Sequence, residues 1–364
     1  MFNSKPISTM KKFIIFGAAV GMLAALASCN KQETVSSPAA QQLKGKAELT
    51  VTVRGNVSGS KATVADTENE AKINGLQVFV FNEDALDMYG VDNTGADHLT
   101  IAVTKGSRSV YALVNAPDLS AVAYKSELLA SVSKLTDNAD AGNSFVMIGD
   151  KDVVIADATP VSINVKRIVA RIKLDKLTRN FTNSQLAGLA ADQFKIVRYY
   201  VTESAGDINY GLTSSYAPTI WHSSSLNDPK AIESSRNLLC HSIGLASLAE
   251  DSSYETAHSF YVYPNPAADA TVAEPAPANP TRLVVELEIK GQKYAYPIPM
   301  PVIESNKSYE IRNLVITRLG NTTNGDDILD EGEDVPIEIL DVQFEVVVLD
   351  WDLELLGENG VVTI

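Results

Sequence analysis

"KAELTVTVRGNVSGSKATVADTE", Lys46 to Glu68, opens as a strand and ends as a linker. Ala47, Leu49, Val51 and Val53 alternate with Glu48, Thr50 and Thr52. That period of two sets one face of a β-strand against a core. From Gly55 the stretch turns to Gly, Asn and Ser and stays polar to about Ile73, with Arg54 and Lys61 as basic points along it. A strong strand hangs on a soft tether that a trypsin-like protease can cut, and the rest of the chain has to explain why.

Upstream of that strand the chain reads as a targeting segment. Lys11 and Lys12 precede the apolar run "FIIFGAAVGMLAALA", Phe13 to Ala27. It is shorter than the roughly 20 residues a bilayer span takes. A basic start, an apolar middle and a small-residue end describe a secretory signal. The end, Leu26-Ala27-Ser28-Cys29, has the form of a bacterial lipobox, in which the Cys29 thiol is acylated and becomes the first mature residue. An ordinary secreted protein with a chance cysteine is the alternative, and Met10 offers a second start. The residues after Cys29 are polar, with Pro, Ser and Gln, and read as a flexible tether.

Composition bounds the rest. The chain has 364 residues, enough for two domains, and 45% of them are hydrophobic, enough for cores. A net charge of −15 argues against a nucleic-acid partner, because phosphate binding needs concentrated Lys and Arg. Of the two cysteines, lipidation of Cys29 leaves Cys240 alone, so no internal disulfide is expected. Cys240 reads as a small buried hydrophobe.

Beyond the linker, period-two runs dominate. They are Ile73–Asn82, His98–Thr104, Ser109–Ala116, Ser144–Gly149, Asp152–Ala156 and Pro160–Asp175, with one short helix at Ser126–Leu135. The apolar parity of Pro160–Asp175 breaks at Lys166-Arg167, which reads as one strand closing a first domain and another opening a second. "FKIVRYYVTE", "HSFYVYPN", "RLVVELEIKGQKYAYPIPM" and "SYEIRNLVITRL" continue the style, with a tight turn at "KGQK". Many short strands and few helices predict an all-β chain of two β-sandwich domains.

Catalytic chemistry is hard to find. His98, His222, His241 and His258 lack metal-ligand spacing, and no nucleophile elbow, zinc-protease motif, phosphate loop or dinucleotide fingerprint occurs. No catalytic residues, metal or cofactor are expected. The acidic run Asp326–Asp334 has Ile328 and Leu329 inside it, unlike a calcium loop, and reads as a solvated loop. Arg167 and Arg171, inside an apolar strand pair, read as members of a structural ion pair at the domain junction.

Several of these pieces together resemble the Bacteroidia-type fimbrillins, the pilin subunits of protease-matured fimbriae. The resembling pieces are the lipobox, the detachable first strand, the basic cut point, "INVKRIVARIKLDKL", "IESNKSYEIRNLVITRLG" and the Trp-containing "VQFEVVVLDWDLELLG". The loop-rich middle of the second half does not visibly match. The resemblance implies Greek-key, transthyretin-like sandwiches and a division into a signal (1–28), a propeptide with a removable strand (29–61), and two domains (62–166 and 167–364). It implies an outer-membrane lipoprotein precursor held by the lipid on Cys29. An Arg/Lys-specific surface protease then removes the strand carrying Leu49, Val51 and Val53. A strand from another copy, or from another fimbrial subunit, fills the groove. The cut is expected between Lys61 and Ala62, since Arg54 and Gly55, the other candidates, sit at the strand end. The donor is expected at the C-terminus. Val342, Phe344, Val346 and Val348 hold one parity and Leu349, Trp351, Leu353 and Leu355 the other, so a break near Leu349 is expected, and Trp351, Leu353 and Leu355 are the groove-filling residues. The expected role is a stalk subunit of a surface fimbrium serving adhesion or biofilm formation. The rivals are an anchor or tip subunit, or a glycan-binding surface lipoprotein using Tyr210, Tyr216 and Trp221.

Overall fold

The computed structural model describes residues 46–55, 63–64, 70–138, 144–213, 215–222, 236–266, 280–322 and 346–351, all within one compact unit. Among them the chain is all-β, with short helices such as Lys125–Ala130 and Ser184–Ala187. The first group of strands is β1 (Lys46–Gly55), β2 (Thr63–Val64), β3 (Leu76–Asn82), β4 (Ala85–Asp92), β5 (His98–Thr104), β6 (Gly106–Val114), β7 (Val132–Lys134), β8 (Met147–Ile155) and β9 (Ala158–Arg167). The second is β10 (Ala170–Leu174), β11 (Phe194–Thr202), β12 (Asp207–Asn209), β13 (Cys240–Ser247), β14 (His258–Val262), β15 (Arg282–Ile289), β16 (Gln292–Pro299), β17 (Lys307–Ile311) and β18 (Val346–Trp351).

Seven strands form one sheet in the order β4-β3-β6-β8-β9-β1-β5. Its two ends meet: a Cβ on Gly90 of β4 would lie 2.6 Å from a methyl of Ile101 in β5, so only glycine lets them approach this closely. Phe79, Phe81, Val110, Leu113 and Ile163 fill the interior and are fully buried. At Ile168-Val169 the chain leaves this sheet, and β10 enters a second one ordered β14-β10-β17-β18-β2. A further sheet contains β13-β11-β15-β16. Its β15–β16 hairpin turns at Lys290 and Gly291, whose φ values of 53° and 78° are those of the tight turn read from "KGQK". β7 and β12 pair with each other and so tie the two halves of the chain together.

Two expectations change here. The runs Ser144–Gly149 and Asp152–Ala156 are one strand, β8, because Asp150 and Lys151 point to solvent without leaving the ladder with β6. The helix expected over Ser126–Leu135 ends at Ala130, because Ser131 is extended and Val132–Lys134 is drawn into pairing with β12.

Candidate functional site

β1 is an inner strand. It runs parallel to β9, from Glu48 opposite Ala158 to Gly55 opposite Val165, and antiparallel to β5, from Lys46 opposite Thr104 to Thr52 opposite His98. Its alternation is realised fully: Ala47, Leu49, Val51 and Val53 are buried, and Glu48 and Arg54 are exposed. Thr50 and Thr100 share a hydroxyl–hydroxyl hydrogen bond of 2.9 Å on the solvent face. The slot is lined by Leu99, Ile101 and Val103 on one side and by Val161, Ile163 and Val165 on the other, all buried. Burying an aliphatic side chain stabilises by roughly 1.5–3 kcal/mol. Leu49, Val51 and Val53 together therefore stabilise by about as much as a small domain's whole net stability. An emptied slot would be an apolar trough between two unpaired strand edges. Arg54 lies inside the ladder opposite Asn164, whereas Cys29, Lys61 and Ala62 lie outside the described residues.

The C-terminal strand departs from expectation. β18 pairs antiparallel with β17 from Ile311 opposite Val346 to Lys307 opposite Asp350, with no register shift at Leu349. The expected break is therefore absent: Leu349 and Trp351 both face inward and are buried. Trp351 is fully buried and docked on its own chain. Its ring centroid lies 4.0 Å from the Arg167 guanidinium carbon and 4.8 Å from that of Arg171, and the ring stacks near Tyr261 and meets Phe145 edge-on. Two guanidinium cations this close to the indole ring are well placed for attraction to its quadrupole. Leu353 and Leu355 lie outside the described residues.

The two buried arginines need counter-charge, and the sequence pattern did not disclose its main source. Glu70, just beyond the linker, is 1% exposed and meets Arg171 through both carboxylate oxygens at 2.9 and 3.2 Å. Tyr261 donates to the same carboxylate at 2.6 Å, and Glu310 stands 3.9 Å from Arg171. Arg171 also donates to Ser308 at 3.0 Å, and Arg167 to the Glu70 carbonyl at 3.2 Å. The structural ion pair read at Arg167 and Arg171 is thus present at Arg171. Asn306, at φ 58°, joins the chain ends of this cluster: its amide donates to the Trp351 carbonyl at 3.2 Å, and its own carbonyl accepts from the Trp351 N–H at 3.3 Å.

The other singled-out residues stay with the fold. Tyr210 is buried, and Tyr216 and Trp221 pack partly against the core, so they form no flat aromatic face. Cys240 is of intermediate exposure, so it is not the fully buried small hydrophobe expected. His241 and His258 meet at 3.1 Å through their Nδ1 atoms, between Tyr199 and Phe260. Burial, and then the neighbouring His241, push the His258 pKa down to about 4. Among the described residues no group of three or more His, Cys, Asp or Glu side chains is placed to hold a metal.

Comparison with known proteins finds a family resemblance over part of the chain. Residues 47–174 match the family described as major fimbrial subunit protein (FimA), a span that begins inside β1 and ends at β10. In fold the chain is similar to a candidate cell adhesion protein from Bacteroides eggerthii, at 19% identity, a TM-score of 0.63, and coverage of 85% of this chain and 97% of that one. It is also similar to a fimbrilin (FimA) from Porphyromonas gingivalis, at 15% identity, a TM-score of 0.58, and coverage of 84% and 98%. A second candidate cell adhesion protein, from Parabacteroides distasonis, gives 16% identity, a TM-score of 0.60, and coverage of 84% and 97%. No curated protein matches the sequence.

Proposed function

We propose that this chain is a fimbrial subunit of the Bacteroidia fimbrillin type and that it forms the stalk of a surface filament by exchanging strands; the family match over residues 47–174 and the fimbrilin-like fold along most of its length support the reading. The observation that carries this reading is β1: an inner strand with four buried apolar side chains, followed in sequence by the polar linker that contains Lys61. An inserted first strand keeps the monomer free of unpaired edges during export. Its loss after a cut at Lys61 opens a groove for a strand of another copy, by strand addition. Such head-to-tail contacts do not close on themselves and so grow a filament. The donor is the C-terminal strand with Trp351, Leu353 and Leu355. Its described part, Val346–Trp351, is docked as β18 on its own subunit before assembly.

In this reading the precursor is an outer-membrane lipoprotein held through Cys29, the processing enzyme is an Arg/Lys-specific surface protease, and the subunit itself is non-enzymatic. N-terminal sequencing of isolated filaments tests it, with Ala62 expected as the first residue. A start at Gly55 moves the cut to Arg54, and a start at Cys29 supports an anchor subunit instead. Metabolic labelling with a fatty acid should mark the precursor at Cys29 and not the filament. The rival of a different class, a glycan-binding lipoprotein, predicts that a glycan array binds the chain while deletion of its gene leaves the filaments intact.

A further inference from the structure

β2 sits at the outer edge of the second sheet, next to β18. Thr63 and Val64, two residues beyond Lys61, run parallel to the C-terminal strand, with Thr63 opposite Asp350 and Val64 opposite Trp351. The residues directly behind the cut thus cover the last two described residues, Asp350 and Trp351, on the free edge of the strand assigned as donor. β2 is tethered on both sides: Gly55 is held in the ladder with β9, and Glu70 is clamped by Arg171 and Tyr261. Two paired residues hold little by themselves. Tethering at both ends keeps them in place, because a short connection between fixed points makes re-pairing intramolecular.

We infer that β2 is a latch, so that the single cut at Lys61 acts on both partners of the exchange. It frees β1 to leave its slot, and it turns β2 into a chain end two paired residues long, which frays. β18 then becomes an edge strand held on one side only, by β17, and can peel toward a neighbouring subunit. Before the cut the slot is filled and the donor is covered, and neither event depends on the other subunit. Glu70 keeps the stub attached to its own subunit afterwards. This inference rests on the strand-exchange reading above, and it adds that the donor is released by the protease and does not exchange freely beforehand.

The experiment uses the unlipidated precursor, residues 30–364, carrying Cys240→Ser, before and after cutting at Lys61 with a lysine-specific protease. Amide hydrogen exchange over Val346–Trp351 should become about tenfold faster after the cut, and unchanged exchange overturns the latch. A second variant adds Thr63→Cys and Asp350→Cys, at positions paired Cα to Cα in the ladder. When oxidised it should still be cut and still release the 46–55 strand, yet keep slow exchange at 346–351 and build no filaments. Reduction should restore both. Filaments from the oxidised, cut variant overturn the latch. Faster exchange after the cut in a precursor that never builds filaments upholds the latch and sinks the strand-exchange reading, so the two fail separately.

Discussion

Glu70 and Arg171 pay for their burial through each other, and this makes the pair the most sensitive point at the scale of single residues. Each side chain is 1% exposed, and the remaining cationic neighbour of the site, Arg167, is occupied against the Trp351 ring. Glu70→Ala would leave Arg171 with Glu310 at 3.9 Å and strip Tyr261 of its acceptor. Removing one partner of a buried ion pair costs about 3–5 kcal/mol, and chemical denaturation of the Glu70→Ala precursor should show a loss of that order. His258 gives a second expectation at this scale. Its folded pKa of about 4 lies below the unfolded value near 6.5. Between these values the unfolded chain binds a proton that the folded chain refuses, so this group's contribution is complete above pH 6.5 and is lost as pH falls toward 4. Thermal melts from pH 7 to pH 4.5 should fall less steeply in His258→Phe than in the parent chain. Equal slopes would show that the histidine does not titrate there.

At the scale of elements, the C-terminal strand can now be divided at a better place than Leu349. Cutting the chain there would delete Trp351 and leave Arg167 and Arg171 beside a cavity, so a failure to fold would say nothing about exchange. Truncation after Asp352 keeps the docked indole and removes Leu353 and Leu355. The expected product is folded, exported and cut at Lys61, yet unable to extend filaments, as read by electron microscopy of cells carrying only that variant. Filaments of normal length would remove Leu353 and Leu355 from the donor role. Elements differ in how far the sequence discloses them. β1, β5 and the β15–β16 hairpin were legible, because strict alternation and a glycine turn are local signals. β4 was not, since Asp87 and Gly90 depress its strand propensity, although Asp87 is held inside by Thr104 and Arg108 and Gly90 by the close approach of β5. β8 looked like two strands because "GDKD" has the residues of a turn. Gly149 is there instead because a side chain would meet the Asn164 carbonyl oxygen at 2.2 Å. The docking of Trp351 was hidden for a different reason. It depends on two arginines far away in sequence and on Glu70, and a flip in apolar parity points to a break without revealing what the far side touches.

For the whole molecule the strand-exchange reading treats the first strand and the body as a ligand and its site that share a chain. The slot offers Leu99, Ile101, Val103, Val161, Ile163 and Val165 to whatever alternating strand enters it. A cut at Lys61 creates no new driving force; it converts an intramolecular partner into one that can be diluted away. If the C-terminal segment is the donor, the cut precursor truncated after Asp352 leaves its neighbours' slots empty and should melt at a lower temperature than the uncut form. Any peptide of the right pattern should restore what was lost, by an amount set by mass action. At a peptide concentration 100 times its dissociation constant, the stabilisation is about 2.7 kcal/mol. For a body of this size each kcal/mol moves the melting temperature by roughly 2–4 °C. Synthetic 46–55 should therefore raise the melt by several degrees, and so should a peptide spanning Leu349–Gly357, which carries Trp351, Leu353 and Leu355 in alternation. A scrambled peptide of equal composition should do nothing, because a strand that loses its period of two cannot bury one face. Rescue by 46–55 alone would keep the removable strand and exclude the C-terminal segment as its replacement. Rescue by neither would mean that the body holds its stability without β1, and that the slot is no acceptor.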